Sequence, residues 1–492
     1  MGDSRSGKPV RDTAGNMGAW LAGAIASLAY VAITSRAFEP VTVGAYASGV
    51  LAELLVYLAV GSGLTVAVQR RADLGATDEA QYLGRALIAG IVAALVMLAG
   101  ADLWGSLWDN PEAARFTRAL AAVALLHPLS LVCIGILRRH DRHRSAAQVL
   151  TVAGVGASLL GAVPVIAIGT PLTLIASNFL TPLIMVIGCA AVGVSLRPAF
   201  ARRLRDGRFA TATVVLNLVN YVAYNALAWS VSRFISVSTL GLYSRAWLMA
   251  DLPAQGMASS ASQVLFPSFS RSSDEINRGT ASDALTVLAA VAGVVLGAIG
   301  ALSSLIVVVV LGKSWLDAIA LLAVLAVSLS AMPTHWLLAS QLQAHSRFRS
   351  LAVSRGVALA TTTAFVALVV ITRDPLVAAA GAGAVHAAAH AADMRSATAL
   401  GMIDRKAVLR GYLQAALACA PLWAIAILQA AAILEPRSAA GLAGLTLGAT
   451  AAGVVAVAVL LRADAGAVLD RREALPGWIP GFMRPTGGMQ PR

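Results

Sequence analysis

The sequence predicts an all-α polytopic membrane protein of about 14 transmembrane helices: two parallel six-helix repeats followed by a C-terminal helix pair. Three observations predict it. Apolar runs of about 20 residues, roughly the length needed to cross a hydrocarbon core, recur from Met17 to Leu461. The chain is 58% hydrophobic and 12% charged, against about 25% charged in soluble domains, and its mean hydropathy is +0.77. Finally, one short pattern occurs twice, 197 residues apart.

In chain order, the first six spans are expected near 17–34, 44–68, 85–101, 119–137, 146–168 and 171–196. Six more follow near 211–232, 240–265, 283–311, 315–340, 351–372 and 375–394. A last pair falls near 411–433 and 438–461. The polar, basic N-terminus has no cleavage signal after the first apolar run and is expected to lead into a retained first span. The expected organisation is an N-terminal bundle (1–205), a C-terminal bundle (206–405), an added pair (406–461) and a polar tail (462–492).

Charge tests this count. With the N-terminus inside, 29 of the 37 Lys and Arg residues are counted with inner segments (Arg85 and Arg355, at the inner ends of their spans, among them), 7 with outer segments, and Arg245 alone lies deeper within a span. A miscounted span would scramble that alternation, so the positive-inside rule favours cytoplasmic termini and a cytoplasmic (inner) membrane location. The net charge of +13 is then a property of loops held at an anionic leaflet. No nucleic-acid partner is implied. The inner groups Arg138–Arg144 and Arg197–Arg208 serve as topology determinants and could also attract an anionic headgroup.

The repeated pattern is Ser35-Arg36, seven residues, Gly44-Ala45-Tyr46, matched by Ser232-Arg233, seven residues, Gly241-Leu242-Tyr243. An acid follows in each copy, Glu53 and Asp251. Six intervening spans, an even number, leave both copies with the same orientation, and a substrate site is expected between the repeats.

Several polar residues lie within apolar spans, where each is costly. Asn217, Asn220, Tyr221, Tyr224 and Asn225 share one helical face, which is expected to line a cavity or to bond a neighbouring helix. Arg245 and Asp251, six residues apart, stand about 9 Å apart along a helix and roughly 120° round it, so they do not pair. Arg245 either lines a cavity or snorkels outward. Glu53 and Asp251 either carry a proton or cation, or form ion pairs with Arg36, Arg233 or Arg245. His386 and His390 stand one turn apart with Asp393 beyond them. A metal there lacks a fourth ligand, which leaves a protonatable pair or ordinary packing.

Three dispersed cysteines (Cys133, Cys189 and Cys419) give neither a disulfide framework nor a zinc motif. No GxxxxGK[ST] loop and no nucleophile–base constellation is present. No cofactor and no enzymatic activity are expected.

Certain segments also carry a resemblance. Thr34-Ser35-Arg36-Ala37, Gly44-Ala45-Tyr46 and Gly61-Ser62-Gly63-Leu64, leading to Gln69-Arg70-Arg71, lie in the first half. Gly241-Leu242-Tyr243-Ser244-Arg245-Ala246, Leu252-Pro253 and Val264–Ser270 lie in the second, followed by Leu311-Gly312-Lys313-Ser314-Trp315 with Ala318. Together they resemble the polysaccharide and lipid-linked oligosaccharide exporters of the multidrug/oligosaccharidyl-lipid/polysaccharide superfamily.

The resemblance implies a flippase with two bundles around a central cavity, moving a polyprenyl-linked glycan for cell-surface polysaccharide biosynthesis. On that reading Arg36, Arg245 and Arg233 meet the pyrophosphate, and Asn217, Tyr221 and Asn225 face the glycan. The lipid tail stays among membrane lipids, and Glu53 or Asp251 couples turnover to H+ or Na+. Implied partners are a polysaccharide polymerase and glycosyltransferases. Two other readings stay open: a cation-coupled multidrug antiporter of the same superfamily, and a non-transport scaffold of a glycan assembly complex.

Overall fold

A computed structural model describes residues 7–70, 74–200, 207–269, 274–345, 347–431 and 439–469. Of the segments singled out in the sequence, Arg71, Arg202, Arg203, Arg205, Ser270 and the tail beyond residue 469 lie outside the described residues, as do the side chains of Val264–Phe269.

Every described regular element is helical. The first set comprises α1 (Gly7–Ala37), α2 (Pro40–Val60), α3 (Ser62–Arg70), α4 (Ala76–Leu107), α5 (Pro111–Arg139), α6 (His143–Ile168) and α7 (Ala176–Ala191). The second comprises α8 (Gly207–Phe234), α9 (Val237–Phe269), α10 (Asp274–Ala301), the short α11 (Ser303–Ile306), α12 (Ala318–Ser328), α13 (Met332–Ala344), α14 (Phe348–Thr372) and α15 (Pro375–Ala399). Two further helices, α16 (Arg405–Ala430) and α17 (Ala439–Leu469), end the described chain. A helix satisfies its backbone groups within one segment in lipid, which is why apolar runs of this length take that form.

Among the described residues, eleven helical stretches are long and apolar enough to cross a membrane. Three expected spans fall outside that set: α1, whose described apolar part is the shorter Ala22–Ala37, α9 with its arginine and aspartate, and the alanine- and histidine-rich α15. Some expected spans are broken. The span at 44–68 divides at Gly61 into α2 and α3. The span at 315–340 divides at Leu329–Ala331 into α12 and α13, because Pro333 has no N–H to continue the ladder. The break after α10 is filled by Gln429 of α16. Its Oε1 accepts from Ser304 N (3.2 Å), Ser304 Oγ (2.5 Å) and Ser303 Oγ (3.2 Å), and its Nε2 donates to Ala301 O at 2.6 Å.

The two sets pack by the same plan. In the first, α1 packs on α6, α6 on α7, α2 on α5, and α5 on α4 and α7. In the second, α8 packs on α14, α14 on α15, α9 on α12 and α13, and α12 on α10 and α15. These are the equivalent pairs if α8 repeats α1. The added pair docks on one side only, α16 lying against α10 and α17 against both. Gly293 and Gly297 of α10 let Cys419 and Trp423 of α16 approach closely.

Candidate functional site

The two copies of the repeated pattern meet each other. α2 crosses α9 at Gly44 and Gly241, and the approach is so close that only glycine fits on either side. A Cβ on Gly44 would stand 1.8 Å from the Val237 carbonyl oxygen, and one on Gly241 would stand 1.9 Å from that of Pro40. Small residues allow backbones to touch in this way in membrane bundles. Two further ties join the sets here. Trp315, fully buried, donates from Nε1 to Ser35 O at 2.7 Å, and Arg36 donates from Nη2 to Val309 O at 2.5 Å. The Leu311–Trp315 segment thus closes on the first copy of the pattern, with Gly312 at φ +99° making the turn.

Directly beside the crossing lies a cavity of about 350 Å³, bounded by α1, α2, α6, α7, α8 and α9. Tyrosines, amides and hydroxyls dominate its polar lining, among them Tyr30, Tyr46, Asn178, Asn225 and Tyr243. Tyr46 donates to Asn178 Oδ1 at 2.5 Å, and Tyr30 to Leu174 O at 2.9 Å. Among the lining residues the one charged side chain is Arg245. It is 5% exposed, so it is held inside and does not reach outward. Its Nη2 donates to Thr34 Oγ1 at 2.9 Å, while its Nε has no hydrogen-bond partner among the described residues. A buried guanidinium with a free donor is prepared for an anionic acceptor.

The other residues singled out by sequence are spread more widely. Asn225 lines the cavity and donates to Tyr221 O at 3.0 Å. Tyr221 itself is placed differently from its expected glycan-facing role. Its ring is buried, its hydroxyl donates to Leu51 O at 2.7 Å, and Trp229 Nε1 donates to that hydroxyl at 3.2 Å. It bonds α8 to α2 and is not among the cavity residues. Asn217, half-buried two turns before Asn225, does not line the cavity either. Helical periodicity gives the face these residues share but not how that face turns against a neighbour.

Arg36 lies outside the cavity, in a separate crevice with Glu39 and Lys313. Arg233 is exposed at the end of α8 and lines neither space. Asp251 is buried beside the cavity residue Leu252 and accepts from Gln255 Nε2 at 2.6 Å. Glu53 is also buried, and the partner it takes is none of the three expected arginines. His127 Nδ1 lies 2.7 Å from Glu53 Oε1, and the His127 ring stacks on Tyr57 with centroids 4.3 Å apart. The sequence signal for His127, a lone histidine before Pro128 inside an apolar span, is weak.

A second polar cluster, hardly legible from sequence, sits in the second set behind Tyr224. Tyr224 lines the cavity, its ring stacks on His386 with centroids 4.7 Å apart, and its hydroxyl accepts from Arg355 Nη1 at 2.7 Å. Arg355, counted in the sequence with an inner loop, instead belongs to this cluster. Among the described residues no group of three His, Cys, Asp or Glu is close enough to hold a metal ion.

A family model described as polysaccharide biosynthesis protein matches residues 33–320, more than half of the chain. The chain belongs to that polysaccharide biosynthesis protein family. The matched region takes in both copies of the repeated pattern, the α2–α9 crossing and all the residues that line the cavity except the three before residue 33. A curated relative, the succinoglycan biosynthesis transport protein ExoT of Rhizobium meliloti (strain 1021), is 27% identical over 312 residues. The alignment covers 61% of this family member and 61% of that protein's length.

The fold is shared with solved transporters. One is the lipid II flippase MurJ in an inward closed conformation, with a TM-score of 0.68 and 11% identity over 90% of this chain and 98% of that one. Another is an inward-facing MATE multidrug resistance transporter of the MOP superfamily, with a TM-score of 0.56 and 18% identity over 81% and 95% of the two chains. A family member with this fold and many apolar helices is a multi-pass membrane protein.

Proposed function

We propose that this chain moves a lipid-linked oligosaccharide, of the polyprenyl-pyrophosphate-linked kind, across the cytoplasmic membrane by alternating access, for cell-surface polysaccharide biosynthesis. The observation that carries the proposal is the cavity between the two sets of helices, whose charged lining is Arg245 and whose other polar groups are amides and hydroxyls. A flippase must spare a charged, hydrated headgroup from hydrocarbon, where charge is very costly. Here the guanidinium takes the pyrophosphate, Asn178, Asn225 and the tyrosines take sugar hydroxyls, and the lipid tail remains in the bilayer. A cavity of about 350 Å³ lies at the small end of the roughly 300–1,000 Å³ of ligand pockets. It suits part of one repeat unit and not a polymer.

The names of the relatives support the same reading: a transport protein of succinoglycan biosynthesis and a lipid II flippase. A lone cation in the lining disfavours organic cations as cargo, which separates this reading from a multidrug antiporter. The proposed moving bodies are residues 1–205 and 206–405, with 406–461 as an added pair and both termini in the cytoplasm. Arg36 and Arg233, at the outer ends of α1 and α8, are proposed to meet the headgroup as it leaves the cavity, and Asn217 and Tyr221 to hold the α8 face that carries Asn225. Turnover is proposed to draw on a proton or sodium gradient through ionisable groups such as Glu53 and Asp251, with polymerase and glycosyltransferases as working partners.

The test is flipping in proteoliposomes. Purified protein is reconstituted with a polyprenyl-pyrophosphate oligosaccharide bearing a fluorophore on the glycan, and an impermeant quencher reads the outer leaflet. The reading predicts that wild-type vesicles lose the protected half of the signal and that R245A vesicles keep it. Wild-type vesicles that match protein-free ones would remove the proposal.

A further inference from the structure

Asp393, on α15, is 0% exposed, and neither of its carboxylate oxygens has a hydrogen-bond partner among the described residues. The polar groups that face it are on α14: the Ser354 hydroxyl, near the carboxyl but short of good hydrogen-bond geometry, and the Arg355 guanidinium. In this arrangement Arg355 is turned elsewhere. Its Nη1 donates to Tyr224 Oη at 2.7 Å and to His335 Nε2 at 3.0 Å, and its Cζ lies 5.2 Å from the Trp336 ring centroid. Arginine only donates, so His335 Nε2 accepts, its proton is on Nδ1, and Nδ1 donates to His386 O at 3.2 Å. That imidazole is neutral and fully used.

The other helices packed on α15 add the remaining ionisable groups. α15 itself carries His386 and His390, whose Nδ1 atoms are both without partners, and His390 Nε2 lies 2.9 Å from the Tyr412 hydroxyl of α16. α8 contributes Tyr224 and α13 contributes His335, while α9 carries Arg245 and Asp251 as its charged groups and α12 carries none.

We propose that Asp393 is a proton-binding site, and that proton occupancy sets whether Arg355 holds Tyr224 or Asp393. A carboxylate kept from water without a well-made hydrogen bond is far costlier than the neutral acid. With Arg355 on Tyr224 and His335, the carboxyl carries a proton. When it releases that proton to solvent, the carboxylate left behind draws the guanidinium away from the Tyr224 hydroxyl and the His335 nitrogen. Nη1 makes both of these contacts with its two hydrogens, so a guanidinium that turns this nitrogen onto the carboxylate gives up one or both of them. Tyr224 lines the cavity on its other side, and its ring stacks on His386 one helix turn before His390. Proton release at Asp393 therefore reaches the cavity wall through a single side chain. If the flippase reading holds, this site makes the proton the coupling ion.

The test needs neither glycan nor transport, so its failure is separate from failure of the flippase reading. Infrared pH-difference spectra are recorded on the full-length protein in lipid nanodiscs. The wild type is expected to show a protonated-carboxyl band that is lost on mild alkalinisation. The band should be missing in D393N, displaced in frequency in D393E, and retained in R355Q at alkaline pH where the wild type has lost it. Should D393N fail to fold, the D393E displacement and the R355Q persistence still decide. A band unchanged by D393E, or wild-type spectra with no titrating carboxyl, would overturn the proposal in favour of a permanently ionised or permanently protonated structural aspartate.

Discussion

Gly44 and Gly241 occupy the same place in the two copies of one sequence pattern, and they touch: each packs its α-carbon against the backbone of the helix that carries the other. Each glycine's absent Cβ is matched by a carbonyl oxygen of the partner helix under 2 Å from where that Cβ would sit. At the crossing the two backbones are in direct contact, and the cavity with Arg245 lies immediately beside it.

G44A and G241A should each force the helices apart, since the obstacle is backbone and cannot rotate away. Overpacking of this kind costs about 1–3 kcal/mol. The expected outcome is a longer, broader distance distribution between spin labels at Val41 and Ser236, near the starts of α2 and α9. Distributions identical to those of the unsubstituted protein would show that the crossing is not held by the glycines.

The Glu53–His127 contact should behave as a coupled pair. Removing one partner of a buried polar pair strands the other, at about 1–3 kcal/mol, so E53Q and H127F are each expected to lower thermal stability. The double variant should lose less than the two single losses combined, by about 1 kcal/mol or more. Strict additivity in thermal unfolding would mean that the 2.7 Å contact contributes nothing.

Gln429 should hold the break between α10 and α11. Q429L keeps the volume and leaves Ser303, Ser304 and Ala301 without their partner, a loss of about 2–3 kcal/mol by the usual cost of unsatisfied buried groups. Hydrogen exchange at Ser303–Ile306 should rise in Q429L while exchange in α5 stays unchanged. Equal protection in both proteins would contradict the role given to the side chain.

The helical class, the run of spans and the internal repeat were legible because each rests on a pattern along the chain. The repeated Gly-x-Tyr showed up as identity at a fixed offset, and the structure gives it a physical cause in the glycine-to-glycine crossing. Arg245 was legible because a cation within an apolar span stands out. What sequence did not reveal was azimuth and partnership. Tyr221 and Asn225 share a face, yet one bonds α2 and the other lines the cavity, since the face is wider than the opening it borders. Glu53 was matched in advance to arginines, the obvious counter-charges, and meets His127 of α5, which packs on α2. Arg355 was assigned to a loop by its place near a span end, and the packing of α14 on α8 sets it against Tyr224. Helix breaks at Gly61 and at Leu329–Ala331 were missed although Gly61-Ser62-Gly63 and Pro333 mark them, because a span is recognised by its length and mean apolarity, which short polar interruptions barely change.

The central claim is that Arg245 meets the anionic headgroup of a lipid-linked glycan. It is tested most directly in cells that lack the protein, by measuring lipid-linked glycan in the cytoplasmic leaflet after return of wild type, R245K or R245A. Losing a charge-assisted hydrogen bond, roughly 1.5–3 kcal/mol, predicts at least about tenfold slower clearance for R245A. R245K should fall between R245A and wild type, because lysine keeps the charge without the bidentate fork. Clearance by R245A at the wild-type rate, with equal protein in the membrane, would contradict the account.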